Sequence, residues 1–174
     1  DPYTIDNDAT FGDWVVDGFQ FVKRWDNFSF TAIVGRNNDD YAAADNAAYV
    51  DSGNYMTYAA KLGYDAENWM LGAMGYWLKG DTGILPNADI NTYGIYAGYS
   101  FTPSIQLKGA YYFQDIDDNF VSERYGAIAG KEDSPTSWKA ILDIKQDLLK
   151  FTALWIEYAQ QDNTFIGTNS YDYL

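Results

Sequence analysis

The sequence predicts an all-β fold, an antiparallel up-and-down sheet of about eight strands, on three observations. Apolar and polar residues alternate with period two over runs of about ten residues. The runs come in pairs joined by three-residue turns, and longer polar stretches separate the pairs. The clearest pair spans residues 91–114. In 91–101, Tyr93, Ile95, Ala97, Tyr99 and Phe101 alternate with Thr92, Gly94, Tyr96, Gly98 and Ser100. After Thr102-Pro103-Ser104, the run 105–114 sets Ile105, Leu107, Gly109, Tyr111 and Phe113 against Gln106, Lys108, Ala110, Tyr112 and Gln114. Two such runs across a minimal turn make a β-hairpin.

The other elements follow in chain order. Residues 1–13, rich in Asp and Asn, read as loop. The first strand, 14–24, has Val15, Phe19 and Phe21 on one face and Gly18, Gln20 and Arg24 on the other, with Asp17 interrupting the apolar set. Trp25-Asp26-Asn27 turns it into 28–35, where Phe28, Phe30, Ala32 and Val34 alternate with Ser29, Thr31, Ile33 and Gly35. The polar connection 36–55 has an Ala-rich centre suited to one or two helical turns. In strand 56–65, Met56, Tyr58, Ala60, Leu62 and Tyr64 alternate with Thr57, Ala59, Lys61, Gly63 and Asp65. Strand 69–79 is apolar on both faces, so its orientation stays open. Residues 80–90 read as loop, and 115–136 as a long acidic loop. In strand 137–145, Trp138, Ala140, Leu142 and Ile144 oppose Lys139, Ile141, Asp143 and Lys145; Gln146-Asp147-Leu148 then turns into strand 149–158. The tail 159–174 is polar and reads as loop. Ile141, Ile144, Leu148, Trp155 and Tyr158 also fit helical spacing, and the strand is preferred because the hairpin unit repeats along the chain.

Composition narrows the function classes. The 174 residues include no His and no Cys, and they carry a formal charge of −14. That excludes a disulfide scaffold and the usual Cys/His zinc site. Nucleic acid is disfavoured as a partner, because phosphate binding needs clustered cations and the 11 Lys and Arg are scattered. No run of about eighteen apolar residues is present for a transmembrane helix. The chain opens Asp-Pro-Tyr-Thr, as a mature product or a fragment does. A mean hydropathy of −0.36 is uninformative for a barrel, where only alternate residues meet lipid. The 18% aromatic content is more telling, since Tyr, Trp and Phe gather in the interfacial girdles of such barrels.

Runs of about ten residues have the length a tilted strand needs to cross a bilayer. The expected connections are three, twenty, three, eleven, three, twenty-two and three residues long. Outer-membrane barrels have short periplasmic turns and long outside loops, so this asymmetry predicts a transmembrane β-barrel in a bacterial outer membrane, with lipid as partner. The first strand runs toward a short turn and the eighth away from one, which puts both termini at the long-loop end. The expectation is therefore a single segment, 1–174, of a larger barrel of about sixteen strands. A closed eight-stranded barrel, its lumen filled by side chains, is the competing arrangement.

The residues that bear chemistry point to a wall rather than a catalyst. Without histidine, the general-base mechanisms of hydrolytic barrels are absent, and adjacent acids such as Asp39-Asp40 and Asp117-Asp118 read as solvated charge; the chain is not expected to be an enzyme. The run Asp115-Ile116-Asp117-Asp118-Asn119 offers hard oxygen donors for Ca²⁺ but lacks the EF-hand spacing and its closing Glu, so no cofactor is expected beyond a weak Ca²⁺ signal. The polar faces instead align Gln20, Arg24, Thr31, Thr57, Lys61, Thr92, Tyr96, Gln106, Lys108, Tyr112, Lys139, Asp143 and Lys145 as candidate pore-lining residues. Cations on such a wall favour anions, while acidic loops favour cations at the mouth; the plainer reading is that the lysines only solvate the wall.

The segments INTYGIYAGYSFTPSIQLKGAYYFQD and SWKAILDIKQDLLKFTALWIEYAQQDNTF resemble the C-terminal barrel of the S-layer-homology-domain porins of diderm Firmicutes. The resemblance covers most of 54–165 and rests on barrel hairpins. It implies a trimeric pore for passive diffusion of small hydrophilic solutes, in a family whose periplasmic tether domain and coiled-coil stalk are absent from this sequence. The last residue, Leu174, departs from the terminal aromatic usual in outer-membrane barrels, which fits the expectation of a fragment. The alternative is a soluble or surface β-sheet module that stacks sugars on exposed Tyr and Trp.

Overall fold

In the computed structural model, residues 17–38, 54–82, 89–116, 134–163 and 165 are described. They form eight strands: β1 (Asp17–Trp25), β2 (Phe28–Asn38), β3 (Asn54–Asp65), β4 (Trp69–Thr82), β5 (Asp89–Thr102), β6 (Ile105–Ile116), β7 (Thr136–Ile144) and β8 (Leu154–Gln161). They make one sheet in the order β1-β2-β3-β4-β5-β6-β7-β8, and each neighbouring pair is antiparallel. The fold is thus all-β, up-and-down and open. Among the described residues, neither the free edge of β1 nor that of β8 has a ladder partner. Residues 14–16 of the first expected strand, and the Ala-rich centre of the 36–55 connection, lie outside the described residues.

The register resolves what alternation left open. Trp69 pairs with Tyr99, Leu71 with Ala97 and Ala73 with Ile95, so β4 shares the face of Tyr93 and Leu107 through Trp69, Leu71, Ala73 and Trp77. Met70, Met74, Tyr76 and Leu78 take the opposite face. Several strands also run past their expected ends: β2 reaches Asn38, β4 reaches Thr82 and β6 reaches Ile116. Ladder hydrogen bonds are made by backbone and need no apolar side chain, so a polar pair such as Lys79 and Asp89 extends the sheet where side-chain patterning has ceased.

The junction between β7 and β8 corrects the expected three-residue turn. Strand β7 ends at Ile144, a single helical turn α1 (Gln146–Leu149) follows, and β8 begins only at Leu154 and runs to Gln161. Lys150 stops the turn in the left-handed region at φ 70°, its N–H donating to the Gln146 carbonyl at 2.7 Å. The helical spacing in this stretch is therefore real over one turn only. The connection is nine residues, 145–153, longer than the six of 83–88 at the opposite end, so short and long do not strictly alternate.

The other three connections at that end are tight. Asp26-Asn27 joins β1 to β2 with Asp26 at φ 46°, a left-handed conformation that a short polar side chain tolerates. Each turn is bonded to the next strand along: Asp65 N–H donates to the Asn27 carbonyl at 2.8 Å, Ser100 N–H to Asn68 at 2.9 Å, and Lys145 N–H to Ser104 at 2.9 Å. These bonds carry the sheet's hydrogen bonding onto the rim. The Ser104 hydroxyl also donates to Asp147 of α1, and that bond holds the Asp147 carboxyl below its ordinary range.

Candidate functional site

The sheet has two faces of different chemistry, and register assigns every strand residue to one of them. The first carries Phe19, Phe21, Phe28, Phe30, Val34, Tyr58, Leu62, Leu71, Ile95, Leu107, Tyr111, Leu142, Ile156 and Tyr158. These large apolar groups are largely open: Phe19 is 83% exposed and Ile95 63%. In a water-soluble protein this would be the side buried against a second layer.

Aromatic rings border this belt at both ends. Toward the short turns, Trp25 stacks on Phe28 and Phe28 meets Tyr64 at 4.9 Å, while Trp69 meets Tyr99 at 4.5 Å and Tyr99 meets Phe101 at 5.0 Å. At the other end, Tyr93 packs between Phe113 at 5.1 Å and Trp77 at 6.0 Å, and Trp77 Nε1–H donates to its hydroxyl at 3.3 Å. Trp69 and Trp77 mark the two borders on β4, eight rises apart, about 27 Å along the strand. Beyond the second border the same face turns polar: Lys79 Nζ bonds Asp89 at 2.7 Å and Asn91 at 3.1 Å, and Asn91 pairs with Asp115 in register. Between the borders, Ala97, Gly109 and Ala140 stand side by side as the floor of a shallow groove walled by Leu71, Leu107, Ile95 and Tyr111.

The second face collects twelve of the thirteen predicted wall residues. Gln20, Arg24, Thr31, Thr57, Lys61, Thr92, Tyr96, Gln106, Lys108, Tyr112, Lys139 and Asp143 all share it by register. Lys145 does not, because β7 stops before it; it is an exposed rim residue at the N-cap of α1. The face is uneven in cover. Thr57, Thr92, Tyr112 and Lys139 are buried, Lys139 to 1% exposure, whereas Gln20 and Arg24 on β1 are open.

Local packing explains how bulky rings fit this wall. Tyr96 pairs with Gly72 and Tyr112 with Gly94, and each ring lies flat across its glycine. A Cβ at either glycine would overlap the ring, so the strands can present aromatic faces inward only because these positions lack one. Lys61 Nζ sits 4.9 Å from the Tyr96 ring centroid, and Lys108 Nζ lies 4.8 Å from that of Trp155. Gln114 Nε2 donates to Thr92 Oγ1 at 2.9 Å. The wall is therefore a mixture of amides, hydroxyls, ammonium groups and ring faces.

Two features escaped the sequence reading. Trp155 is on this face, opposite Asp143, and its Nε1–H donates to Glu157 at 3.3 Å. The tail expected as loop from 159 instead continues β8 to Gln161 and then folds against the sheet. Asp162 accepts from Thr136 N–H at 2.7 Å and from Thr136 Oγ1–H at 2.8 Å, while Asp162 N–H donates to the Thr136 carbonyl at 3.0 Å. Phe165 beyond it is buried against the second face. Phe165, one of three aromatics in a polar tail, was the available signal; the Asp162 to Thr136 pairing left none.

The Thr136 donors lower the Asp162 carboxyl below its ordinary range. A depressed carboxyl stabilises its fold above the unfolded value, about 3.9, and the contribution is lost as pH falls through the folded value. The Thr136 amide proton is expected to shift upfield on acidification with a midpoint below that of a free Asp. Asp162→Asn should remove the titration; an amide that is insensitive to pH in the parent chain would refute the assignment.

Of the run 115–119 considered for Ca²⁺, only Asp115 and Ile116 are among the described residues, and the acidic pairs Asp39-Asp40 and Asp117-Asp118 lie outside them. Comparison of the chain with protein-family models, with curated proteins and with solved structures finds no match.

Proposed function

We propose that this chain is a membrane-spanning segment of an outer-membrane β-barrel porin, through which small hydrophilic solutes diffuse passively. The observation that carries the reading is the exposed apolar belt, uninterrupted across β2 to β7, bordered by aromatic rows and capped by the polar group around Lys79 and Asp89. Its height is of the order of the ~25 Å apolar band of transmembrane barrels. The two charges on this face of β1 stand near its ends: Asp17 is its first residue, and Lys23 sits two residues from its last, where a long side chain can reach the interface. No helix among the described residues is long and apolar enough to cross a membrane, so strands alone would do so.

In lipid every backbone donor and acceptor needs a protein partner, so the free edges of β1 and β8 call for further strands. A larger barrel supplies them, and the open, polar positions Gln20 and Arg24 then border its water-filled part. Mechanistically the segment provides a hydrocarbon-compatible coat and a polar wall, and transport is steric and electrostatic. Trimer formation, implied by the family resemblance, belongs to the same proposal. A sugar-binding module is disfavoured because the amides and carboxylates needed to bond hydroxyl groups stand at the margins of this face, beside Trp77 and Trp138, while the rings and side chains between are apolar.

Conductance across a planar bilayer tests the proposal. The intact barrel that contains this segment should insert and give stepwise ohmic currents, and Arg24→Glu with Lys61→Glu should shift the zero-current potential in a salt gradient toward cation preference. A segment that stays monodisperse in water without detergent, or an intact barrel that gives no current, would contradict it. Unheated electrophoresis after cross-linking should show the trimer.

A further inference from the structure

We infer that Phe165 is a constriction residue of the lumen, carried there by the chain after β8, which folds across the inner wall. This rests on the pore reading above.

The placement is set by chemistry at both ends of a short segment. Asp162 anchors it to the start of β7 through three hydrogen bonds with Thr136, and Phe165 N–H donates to the Asp162 carbonyl at 3.0 Å, closing a turn. Phe165 forms one buried cluster with Ala59, Met74, Tyr76, Ala110 and Tyr112, and it is 9% exposed. Those five residues belong to β3, β4 and β6, all on the polar-wall side of the sheet. Strand β8 is four positions from β4 in the sheet, about 19 Å at ordinary strand spacing. A residue just past β8 that joins a cluster drawn from β3, β4 and β6 has left the sheet on the polar-wall side.

The contacts are those of a seal. Phe165 is buried in a cluster of methyl, thioether and ring surface, while the polar wall continues at Lys61 of β3 and Thr92 of β5. An aromatic ring in that position removes cross-section from any water path past β3 to β6. Passage depends on width and on wall polarity, so such a residue sets the size limit for solutes.

Single-channel conductance and liposome swelling with sugars of increasing size test this on the intact barrel that contains the chain. Phe165→Ala should raise unit conductance roughly twofold and admit larger sugars, as expected for a widened pore. Asp162→Ala keeps the ring but removes two of the three bonds that anchor it, and should give the same wider state intermittently. Circular dichroism and heat-modified electrophoretic mobility report whether each variant folds; should Phe165→Ala fail, Asp162→Ala carries the test. Parent currents unchanged in both variants would overturn the constriction while leaving the pore reading intact. Folded parent and variants that never conduct would overturn the pore reading, and the constriction with it.

Discussion

Ile95→Arg is expected to lower the stability of the chain folded in phospholipid bilayers by about 2–4 kcal/mol, the cost of a cation at the middle of a lipid-facing strand. Ile95 lies between the aromatic rows at Tyr93 and Tyr99, and it is already 63% exposed. Exposure is what gives the substitution its power to discriminate. If water covered this face, exchanging a largely exposed Ile for Arg would change stability by no more than about 0.5 kcal/mol and would improve solubility. Denaturant titration of the parent and variant in lipid vesicles, against the same pair in detergent-free buffer, separates the cases. Arg at Asn91, beyond the polar border, should be nearly neutral in both, because the depth-dependent penalty fades at the interface.

The second large effect concerns the ring-over-glycine pairs of the inner wall. Tyr112 is 1% exposed with its ring flat on Gly94, so Tyr112→Ala should cost about 3–5 kcal/mol, as removal of a buried aromatic does. Gly94→Ala should cost about 1–3 kcal/mol for a different reason, since the added methyl would overlap the ring and force it aside. The two changes are expected to couple. Once the ring is gone the methyl has room, so Gly94→Ala in the Tyr112→Ala background should be close to neutral, giving an interaction energy of about 1–3 kcal/mol. Additive losses from equilibrium unfolding would show that the ring does not rest on this glycine.

Much of this architecture was legible in the residues. Alternation in 91–114 fixed the hairpin and its faces because a half-polar sheet requires period two, and the register bears out Tyr93, Ile95, Tyr99 and Leu107 as one face opposite Lys61, Lys108 and Lys139. Alternation fails where both faces are apolar. Strand β4 could be oriented only through its partners, since Met74 and Tyr76 pack into the inner cluster while Trp69 and Leu71 stand outside. Polar residues that merely extend a ladder, such as Asp89 and Asp115, carry no side-chain signal either, and the strands were read short at that end. The break at α1 depends on Lys150 adopting a left-handed backbone, which nothing about a lysine announces. Phe165 was hidden for a related reason: its destination lies on β3, β4 and β6, distant in sequence, and only the Asp162 turn sends it there.

The open edges bear on assembly as well as on membrane placement. Each face of β1 is exposed along its length, including apolar Val22 on the inner side, so this strand is only partly buried by the eight strands described. Further strands beyond β1 would cover that inner face and satisfy the backbone together, which a closed eight-stranded ring with a side-chain-filled lumen would already have done.

The chain contains no cysteine, so single cysteines can be introduced without background along β6 and labelled with a nitroxide in lipid vesicles. Accessibility to oxygen, which concentrates in hydrocarbon, should be high at Leu107, Gly109, Tyr111 and Phe113 and low at Lys108, Ala110 and Tyr112, with period two across the strand. Equal accessibility on both parities, or a water-soluble relaxer reaching Leu107 and Tyr111 as readily as a free label, would contradict the bilayer-facing belt.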